Sequence, residues 1–346
     1  MKIRFLLLAT MVLFSTLLVI PGCGGKKTPA GGGTADLLSL LPDNAAAVFS
    51  VNVKKMSQLA LFDKMIEEAD KKEDDKPGKV FENYQDFVTK TGIDPKKDIY
   101  AMAVGIYGQL GAKNTDVAFV VNLKYNKDTI LALLKEKGAE FTEETYKEVT
   151  TFKVKEQEEK PMAFSFLSDQ VIAGGTPALL NQVIDLFKKT GKSIMDNASM
   201  KAHLESIKPD AIAAFVFGLP EEAKKVHDSG MFKMDLSKAE VIKGFFDYDN
   251  KTWKVEMNLV SHNEEANQQL VSTLNGFKMM AGAGGPEVAE VVNNLTLTAS
   301  AHGVKLEVSL SEELLEKLQA KFAEKNKGMM TPPPPADEEM TETEEE

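Results

Sequence analysis

LTLTASAHGVKLEVSLS, residues 295–311, contains two successive runs in which apolar and polar side chains alternate strictly. In the first run leucine and alanine alternate with threonine and serine, and in the second valine and leucine alternate with lysine, glutamate and serine. Strict alternation with a period of two predicts strands that are buried on one side only. His302-Gly303 between the runs predicts a two-residue hairpin turn, and Ser311 predicts the N-cap of a following helix. This part of the chain is therefore expected to form an antiparallel hairpin followed by a helix.

The same order of predicted elements occurs twice along the chain. Each half is expected to contain a strand and a helix, then a strand pair and a second helix, then a hairpin and a last helix. In the first half these elements lie at or near Phe49, Lys55, Asp98, Ile130, Ser168 and Pro177, and in the second half at or near Asp210, Pro220, Val241, Glu264, Leu295 and Ser311. Short loops between paired strands favour antiparallel pairing over parallel crossovers.

We therefore expect an α+β fold of two related halves, residues 36–207 and 208–330, each a mostly antiparallel sheet packed with helices. The halves are not identical, because an extra helical segment is predicted near residues 79–92, an extra strand near 148–155 and an extra helix near 286–293. An internal duplication is our interpretation. Chance repetition of strand–helix order in an α+β protein is the alternative.

The first 22 residues have the organisation of a secretory signal peptide. Lys2 and Arg4 form a positive n-region, and a mostly apolar run follows from Phe5 to Ile20. This run is short for a membrane span, which needs about 20 residues, but it fits a secretory h-region. The Gly-rich stretch that follows Cys23, GGKKTPAGGGTA up to residue 35, predicts a flexible tether.

The segment VIPGC, residues 19–23, resembles the lipobox of bacterial lipoproteins. The resemblance implies that diacylglycerol is attached to the Cys23 sulfur and that signal peptidase II cuts between Gly22 and Cys23. Two or more acyl chains give stable membrane anchoring. In enterobacterial sorting rules, aspartate directly after the acylated cysteine retains a lipoprotein at the inner membrane. This chain has Gly24 at that position, so the resemblance implies a location at the outer membrane facing the periplasm. An ordinary secreted protein or an uncleaved anchor is the alternative.

Four further segments resemble the uncharacterised domain-of-unknown-function 3352 type of bacterial envelope proteins. They are LLPDNAAAVFSVNVKKMSQL (40–59), GIDPKKDIYAMAVG (92–105), FLSDQVIAGGTPALLNQVIDLF (166–187) and KAHLESIKPDAIAAFVF (201–217). The resemblance covers about residues 38–320 and implies a shared fold and an envelope location. The family has no established catalytic residues, so it implies no site.

Composition excludes several classes of function. The formal net charge is −11, which argues against a basic nucleic-acid interface. Cys23 is the only cysteine, so the chain makes no intrachain disulfide and no thiolate zinc site. Arg4 is the only arginine, and it lies in the predicted leader, so the mature chain lacks guanidinium groups for bidentate phosphate or carboxylate recognition.

Motifs for chemistry are incomplete. His203, His227, His262 and His302 form neither an HExxH motif nor a pair at helical spacing, and we expect them at surface or cap positions. Gly174-Gly175-Thr176-Pro177 has the context of an anion site at a helix N-terminus, but a hairpin end with a threonine cap explains it. Asp247-Tyr248-Asp249 resembles the start of a calcium loop, but the later positions do not match the EF-hand pattern. Asp249-Asn250 instead predicts a hairpin turn.

We therefore expect no catalytic, cofactor-binding or metal-binding residues and no enzymatic activity. Apolar ligand binding is the least excluded function, because Phe245, Phe246, Phe277, Met279 and Met280 cluster in the second half, with ordinary core packing as the alternative. The expected role is non-enzymatic binding or structural support by an envelope lipoprotein held in the bilayer through acylated Cys23. The alternatives are a periplasmic carrier of a lipid or lipoprotein and, third, an envelope hydrolase. The Pro-rich acidic tail, residues 331–346, is expected to be disordered.

Overall fold

The computed structural model describes residues 33–60, 62–64, 66–67, 83–110, 115–154, 161–222, 224, 227–228, 233–234 and 236–318. The predicted signal peptide, the cleavage site at Gly22 and Cys23, most of the tether and the acidic tail lie outside the described residues. The last two tether residues, Thr34 and Ala35, belong to the first helix.

Short helices alternate with strands along the whole described chain. The helices are α1 (Thr34–Leu38), α2 (Val53–Met56), α3 (Tyr84–Thr91), α4 (Pro95–Asp98), α5 (Lys127–Glu136), α6 (Pro177–Phe187), α7 (Ala198–Glu205), α8 (Glu264–Ala281) and α9 (Pro286–Asn293). Residues 312–318 are also helical. Single 3₁₀ turns lie at Ile194–Asp196 and Gly282–Gly284.

The strands are β1 (Ala47–Val51), β2 (Ile99–Tyr107), β3 (Asp116–Leu123), β4 (Phe141–Tyr146), β5 (Val149–Val154), β6 (Ala163–Phe166), β7 (Val171–Gly175), β8 (Ala213–Gly218), β9 (His227–Asp228), β10 (Lys233–Met234), β11 (Ala239–Asp249), β12 (Thr252–Ser261), β13 (Leu295–Ser300) and β14 (Gly303–Ser311). Twelve of them form one sheet in the order β13-β14-β12-β11-β8-β1-β2-β3-β7-β6-β5-β4. Strands β9 and β10 pair separately.

The predicted α+β class and antiparallel pairing are confirmed. The prediction was a separate sheet in each half, whereas the strands of the two halves form one continuous sheet. Strand β1 pairs with β8, and Phe49 lies opposite Phe215. Strand edges carry unpaired backbone groups that can pair with another chain. Joining β1 to β8 removes one edge from each half at once.

The two faces of the sheet differ in chemistry, as one cross-strand row on each face demonstrates. On the first face, named face A, directly opposed residues from β13 to β4 are Thr298, Lys305, Asn258, Lys243, Val216, Val48, Gly105, Ala118, Gly175, Ala163, Lys153 and Thr142. This row is apolar and buried only in its middle. In the middle of the sheet, face A therefore forms part of the hydrophobic core. On strands β11–β14 it is polar.

Helices α1 and α6 cover the apolar part of face A. Their leucines, with Val183 and Ile184, form one buried cluster with Val48, Ala103 and Val120 of the sheet. Small residues in the strands let the helices approach closely, and Leu41, Val183 and Ile184 are fully buried. This layer is the main hydrophobic core.

A second cluster lies on the opposite face, named face B, at the end of the sheet where β1 leads into α2. It joins Met56 and Phe62 to Tyr248 and Trp253, whose ring centroids lie 4.9 Å apart. Leu315 of the helical residues 312–318 packs against it. This second core ties the segment after β1 to the last strands of the chain.

Most predicted turns are present; two predicted elements and the predicted Thr176 cap need correction. The hairpin at Ser168-Asp169 and the helix that begins at Pro177 are confirmed, and Ser311 Oγ accepts from the backbone N–H of Leu314. The predicted helix from Pro220 is wrong, because residues 220–222 lack helical structure and the two-stranded β9–β10 ladder follows.

The second correction concerns the last hairpin, in which Ser300 pairs with Gly303 and the turn is Ala301-His302. A Cβ on Gly303 would lie 2.0 Å from the Leu259 carbonyl oxygen, so the neighbouring strand requires this glycine, and its φ of 148° also favours glycine. Within the described residues no helix is both long enough and apolar enough to cross a membrane.

Candidate functional site

Face B presents an apolar row that crosses almost the entire sheet. Directly opposed residues from β13 to β4 are Leu297, Leu306, Met257, Gly244, Phe215, Phe49, Val104, Phe119, Gly174, Phe164, Phe152 and Glu143. The only charged member is Glu143, on the edge strand β4. Flanking residues on the same face, such as Val255 and Phe246, are also apolar.

This face is only partly covered. Leu297, Leu306, Met257, Phe49 and Val104 are each half-buried. On face A the middle of the row is fully buried instead, as Val48 and Ala118 demonstrate. Phe152 and Phe215 of the same row are buried, so face B keeps only partial solvent access along its apolar row, and we define this row as the candidate binding surface.

Two glycines in the face B row are closely covered by phenylalanine rings of neighbouring strands. A Cβ on Gly174 would lie 2.4 Å from Cζ of Phe119, and one on Gly244 would lie 2.8 Å from Cζ of Phe215. Phe215 also stacks with Phe217 at a centroid distance of 5.8 Å. The absence of a side chain at these two positions lets the rings lie flat on the sheet and keeps this part of the surface aromatic.

A second apolar surface lies at the C-terminal end of α8. Met279 is 82% exposed, Met280 60% and Phe277 41%. Beside them a cleft of about 550 Å³ separates α8 from α9, lined by Asn275, Lys278, Met279, Gly282, Ala289, Val292 and Asn293. We name Phe277, Met279 and Met280 the α8 patch.

The predicted cluster of five apolar residues is divided by the structure. Phe245 lies on face A and Phe246 on face B, because successive residues of a strand point to opposite sides. The other three form the α8 patch. Their closeness in sequence therefore does not make them one surface. The tertiary structure divides them among face A, face B and the α8 patch.

A buried ion cluster was missed by sequence reasoning. The side chain of Asp247 is 0% exposed, and its two carboxylate oxygens contact Nζ of Lys55 and Nζ of Lys208. The Lys55 distance is 2.6 Å, and the same ammonium donates to the backbone carbonyl of Asp210 at 2.7 Å. The cluster connects α2, the segment before β8, and β11.

The electrostatics of the cluster favour its charged form. Burial by itself raises the pKa of Asp247, but hydrogen bonds from Lys208 and Lys55 outweigh burial and lower the pKa below its usual value. The hydrogen bond to Asp247 in turn raises the pKa of Lys208. Both oxygens are occupied by lysines, so the carboxylate is suited to hold three segments together.

The four histidines are dispersed, apart from one pair. His203 lies on α7, where burial and then the nearby Lys243 charge lower its pKa. His227 lies in β9, and its side chain is outside the described residues. His262 and His302 are exposed, and their ring centroids lie 5.9 Å apart. Pairing of β12 with β14 produces this contact, which no local spacing in the sequence signals.

The remaining predicted motifs take structural positions. Thr176 precedes α6 with an extended backbone, but its side chain makes no capping hydrogen bond, which corrects the expected threonine cap. Asn250 and Lys251, with φ of 49° and 60°, form the turn predicted near Asp249. Among the described residues no group of three or more His, Cys, Asp or Glu side chains is arranged to hold a metal ion.

No protein-family model matches the chain, and no curated protein matches it. Solved structures of TP0453 are similar at 9% sequence identity. Crystal form III has a TM-score of 0.48 and covers 83% of this chain and 98% of that chain. Crystal form IV has a TM-score of 0.45 and crystal form I one of 0.43, with 83% of this chain covered in each case and 96% and 97% of those chains. Similarity at this level does not assign a function.

Proposed function

We propose that the protein is a membrane-anchored envelope lipoprotein with a non-enzymatic binding role. The observation that supports a binding role most directly is the partly exposed apolar row of face B. Contiguous apolar surface of this extent is expected at ligand-binding or protein-binding sites. The proposed anchor is acylated Cys23, and the proposed location is the outer membrane facing the periplasm.

The anchor is tested by replacing Cys23 with alanine in the full chain. Acylation requires the Cys23 sulfur and precedes cleavage in the lipoprotein pathway. The variant is expected to accumulate as an uncleaved precursor without lipid label, while the unaltered chain incorporates labelled palmitate. Normal maturation of Cys23→Ala would refute the proposed anchor. Density-gradient fractionation of the labelled protein tests the location, and recovery with inner-membrane markers opposes it.

A carrier of a lipid-like ligand is the second candidate, favoured by the chemistry of face B. Nine of its twelve members are aliphatic or aromatic, two are glycines, and only Glu143 at the far edge is charged. An acyl chain needs apolar contact along its length and few polar partners. The α8 patch favours a protein partner instead, because its three apolar side chains are exposed and adjacent.

A fluorescent fatty acid separates these two candidates. Trp253 is the only tryptophan of the chain and lies on face B, so bound cis-parinarate is expected to quench its emission by energy transfer. Val255→Asn on face B is expected to weaken parinarate binding by about tenfold, since a buried amide without a partner is costly. The matched control is Lys254→Asn, its neighbour on face A. Equal affinities for the two variants, or no saturable binding, would oppose the carrier.

We also infer that the two halves arose by internal duplication. The support is the strand order outward from the β1–β8 contact, β1-β2-β3-β7-β6 on one side and β8-β11-β12-β14-β13 on the other. A helix follows the third strand of each series. The last helices differ, since α6 covers face A while Leu315 packs on face B. The inference is tested by superposing the five strands of the first series on the five strands of the second. If α5 and α8 then do not overlap, the duplication is opposed.

A further inference from the structure

The two outer edges of the sheet are built differently. The edge strand β4 has the sequence FTEETY, with exposed Glu143 and Glu144. The opposite edge strand, β13, has the sequence LTLTAS and contains no charge and no proline, and its pairing with β14 is regular over all six residues. Edge strands commonly carry charges, prolines or bulges that prevent further pairing. Strand β4 carries this protection in its own sequence and β13 does not.

The chain around β13 is also poor in charge. Residues 266–304 contain only Lys278, Glu287 and Glu290 as charged residues, whereas 27% of the whole chain is charged. Depletion of charged residues is the compositional signature of an interface core. In a chain of net charge −11, these residues add little to the repulsion between two copies.

The α8 patch lies beside the same edge. Nζ of Lys278 donates to the backbone carbonyl of Leu295, the first residue of β13. Met279 and Asn293 line the cleft between α8 and α9 next to it. The edge strand and the patch therefore form one continuous surface with backbone hydrogen-bonding groups on one side and exposed apolar side chains on the other.

We propose that this surface binds a second copy of the same chain, with β13 pairing antiparallel to β13 of the other copy about a two-fold axis. Opposed side chains of an antiparallel pair lie on the same face, so the axis passes between the two copies of one residue, which oppose each other. Leucines then oppose leucine and alanine on face B, and threonines oppose threonine and serine on face A. Such pairs stabilise antiparallel sheets.

The strand sequences favour a second copy over pairing between unlike edges. In a two-fold pair of β4 strands centred on Glu143 or on Glu144, that glutamate would oppose its own copy, which is destabilising. Pairing of β13 with β4 is a head-to-tail contact and would continue into open filaments. Pairing of β13 with itself closes after two copies and brings no charged side chain of the strand opposite another.

The first test compares two double substitutions on the opposite edges. Thr296→Lys/Thr298→Lys places lysines on β13, and Thr142→Lys/Thr145→Lys places them on β4; all four threonines are exposed. The full chain in detergent is expected to sediment as a dimer. The β13 double variant is expected to raise the dissociation constant by about a hundredfold, since like charges meet across the axis, while the β4 variant leaves it unchanged. Thermal unfolding of both variants verifies that each is folded.

Cysteine scanning provides the second test. Single cysteines at positions 296, 297 and 298 are expected to give one position that forms an intermolecular disulfide far faster than its neighbours, because only the residue on the axis meets its own copy. Thr145→Cys on β4 and the unaltered chain, which contains Cys23, are the controls. A monomer at all concentrations, a dimer unaffected by the β13 lysines, or equal cross-linking at β4 would each overturn the proposal. Capture of β13 by a different envelope protein while the chain stays monomeric would also overturn it.

Discussion

Nζ of Lys55 lies 2.6 Å from Oδ1 of Asp247, although the two residues are 192 positions apart in the chain. Lys55 belongs to the helix that follows β1, and Asp247 belongs to β11. The contact therefore links the first and second halves of the sheet through a carboxylate that is fully buried. Lys208 occupies the second oxygen of the same carboxylate.

Asp247→Asn is expected to lower the free energy of unfolding by about 3 kcal/mol, because loss of one partner from a buried ion pair leaves the others uncompensated. Lys55 and Lys208 are partly exposed, which limits the loss. Denaturant titration followed by Trp253 fluorescence measures it. Asp249→Asn, on an exposed carboxylate 3.9 Å from Lys254, is the control and is expected to change stability by less than about 1 kcal/mol. Similar losses for both variants would contradict a structural role of the cluster.

Stability is expected to fall in acid. The folded pKa of Asp247 is lowered relative to the unfolded chain, so its contribution is present above the unfolded pKa, about 3.9, and is lost as the pH falls through the folded pKa. The pKa values of Asp94 and Asp196 are also lowered, and they contribute in the same direction. Melting temperatures measured from pH 6 to pH 2 test this. Asp247→Asn is expected to reduce the loss of melting temperature in acid only in part, because Asp94 and Asp196 still contribute. An unchanged pH dependence would contradict the lowered pKa of Asp247.

Gly244→Ala is expected to destabilise the sheet by about 2 kcal/mol, since a new methyl group forces neighbouring atoms to move. Its Cβ would lie 2.2 Å from the Glu256 carbonyl oxygen and 2.8 Å from Cζ of Phe215. Gly282→Ala is the control, because the nearest atom to its Cβ is 4.0 Å away. Chemical denaturation of the two variants gives the comparison, and a Gly244→Ala protein as stable as Gly282→Ala would show that this contact is absent.

Two methionines provide a matched test of the second core. Met56 is 1% exposed in the cluster around Trp253, and Met279 is 82% exposed in the α8 patch. Met56→Ala is expected to cost about 3 kcal/mol through lost burial and a residual cavity, and Met279→Ala about 0.5 kcal/mol or less. Calorimetry or denaturant titration measures both. A large loss for Met279→Ala would mean that this residue is buried in the folded protein.

Period-two alternation and turn residues were sufficient to locate most strands. Helix α9 (Pro286–Asn293) has the predicted bounds and strand β5 (Val149–Val154) lies within the predicted residues 148–155, because both follow from local signals. The helix predicted from Pro220 failed, since proline and glutamate favour a helix start but tertiary pairing can override a weak local preference. The His302-Gly303 turn was placed one residue late, because the glycine is required by β12 across the sheet.

The candidate surfaces were less accessible to sequence reasoning. Phe245 and Phe246 are adjacent in sequence but lie on opposite faces, and His262 meets His302 only through the pairing of β12 with β14. The ion cluster of Asp247 was not predicted at all, because its lysines come from distant segments. No pattern within one segment encodes such contacts.

The sequence by itself determined most of the local elements, the α+β class, the alternation of polar and apolar side chains in the strands, and the exclusion of an intrachain disulfide by a single cysteine. These follow from backbone preferences and residue types within a few positions of each other. Only the tertiary structure decided that β1 pairs with β8, that face B carries an apolar row across the sheet, and that β13 is left as an uncharged edge. These depend on which strands become neighbours, and this is set by burial summed over the whole chain and not by any one segment.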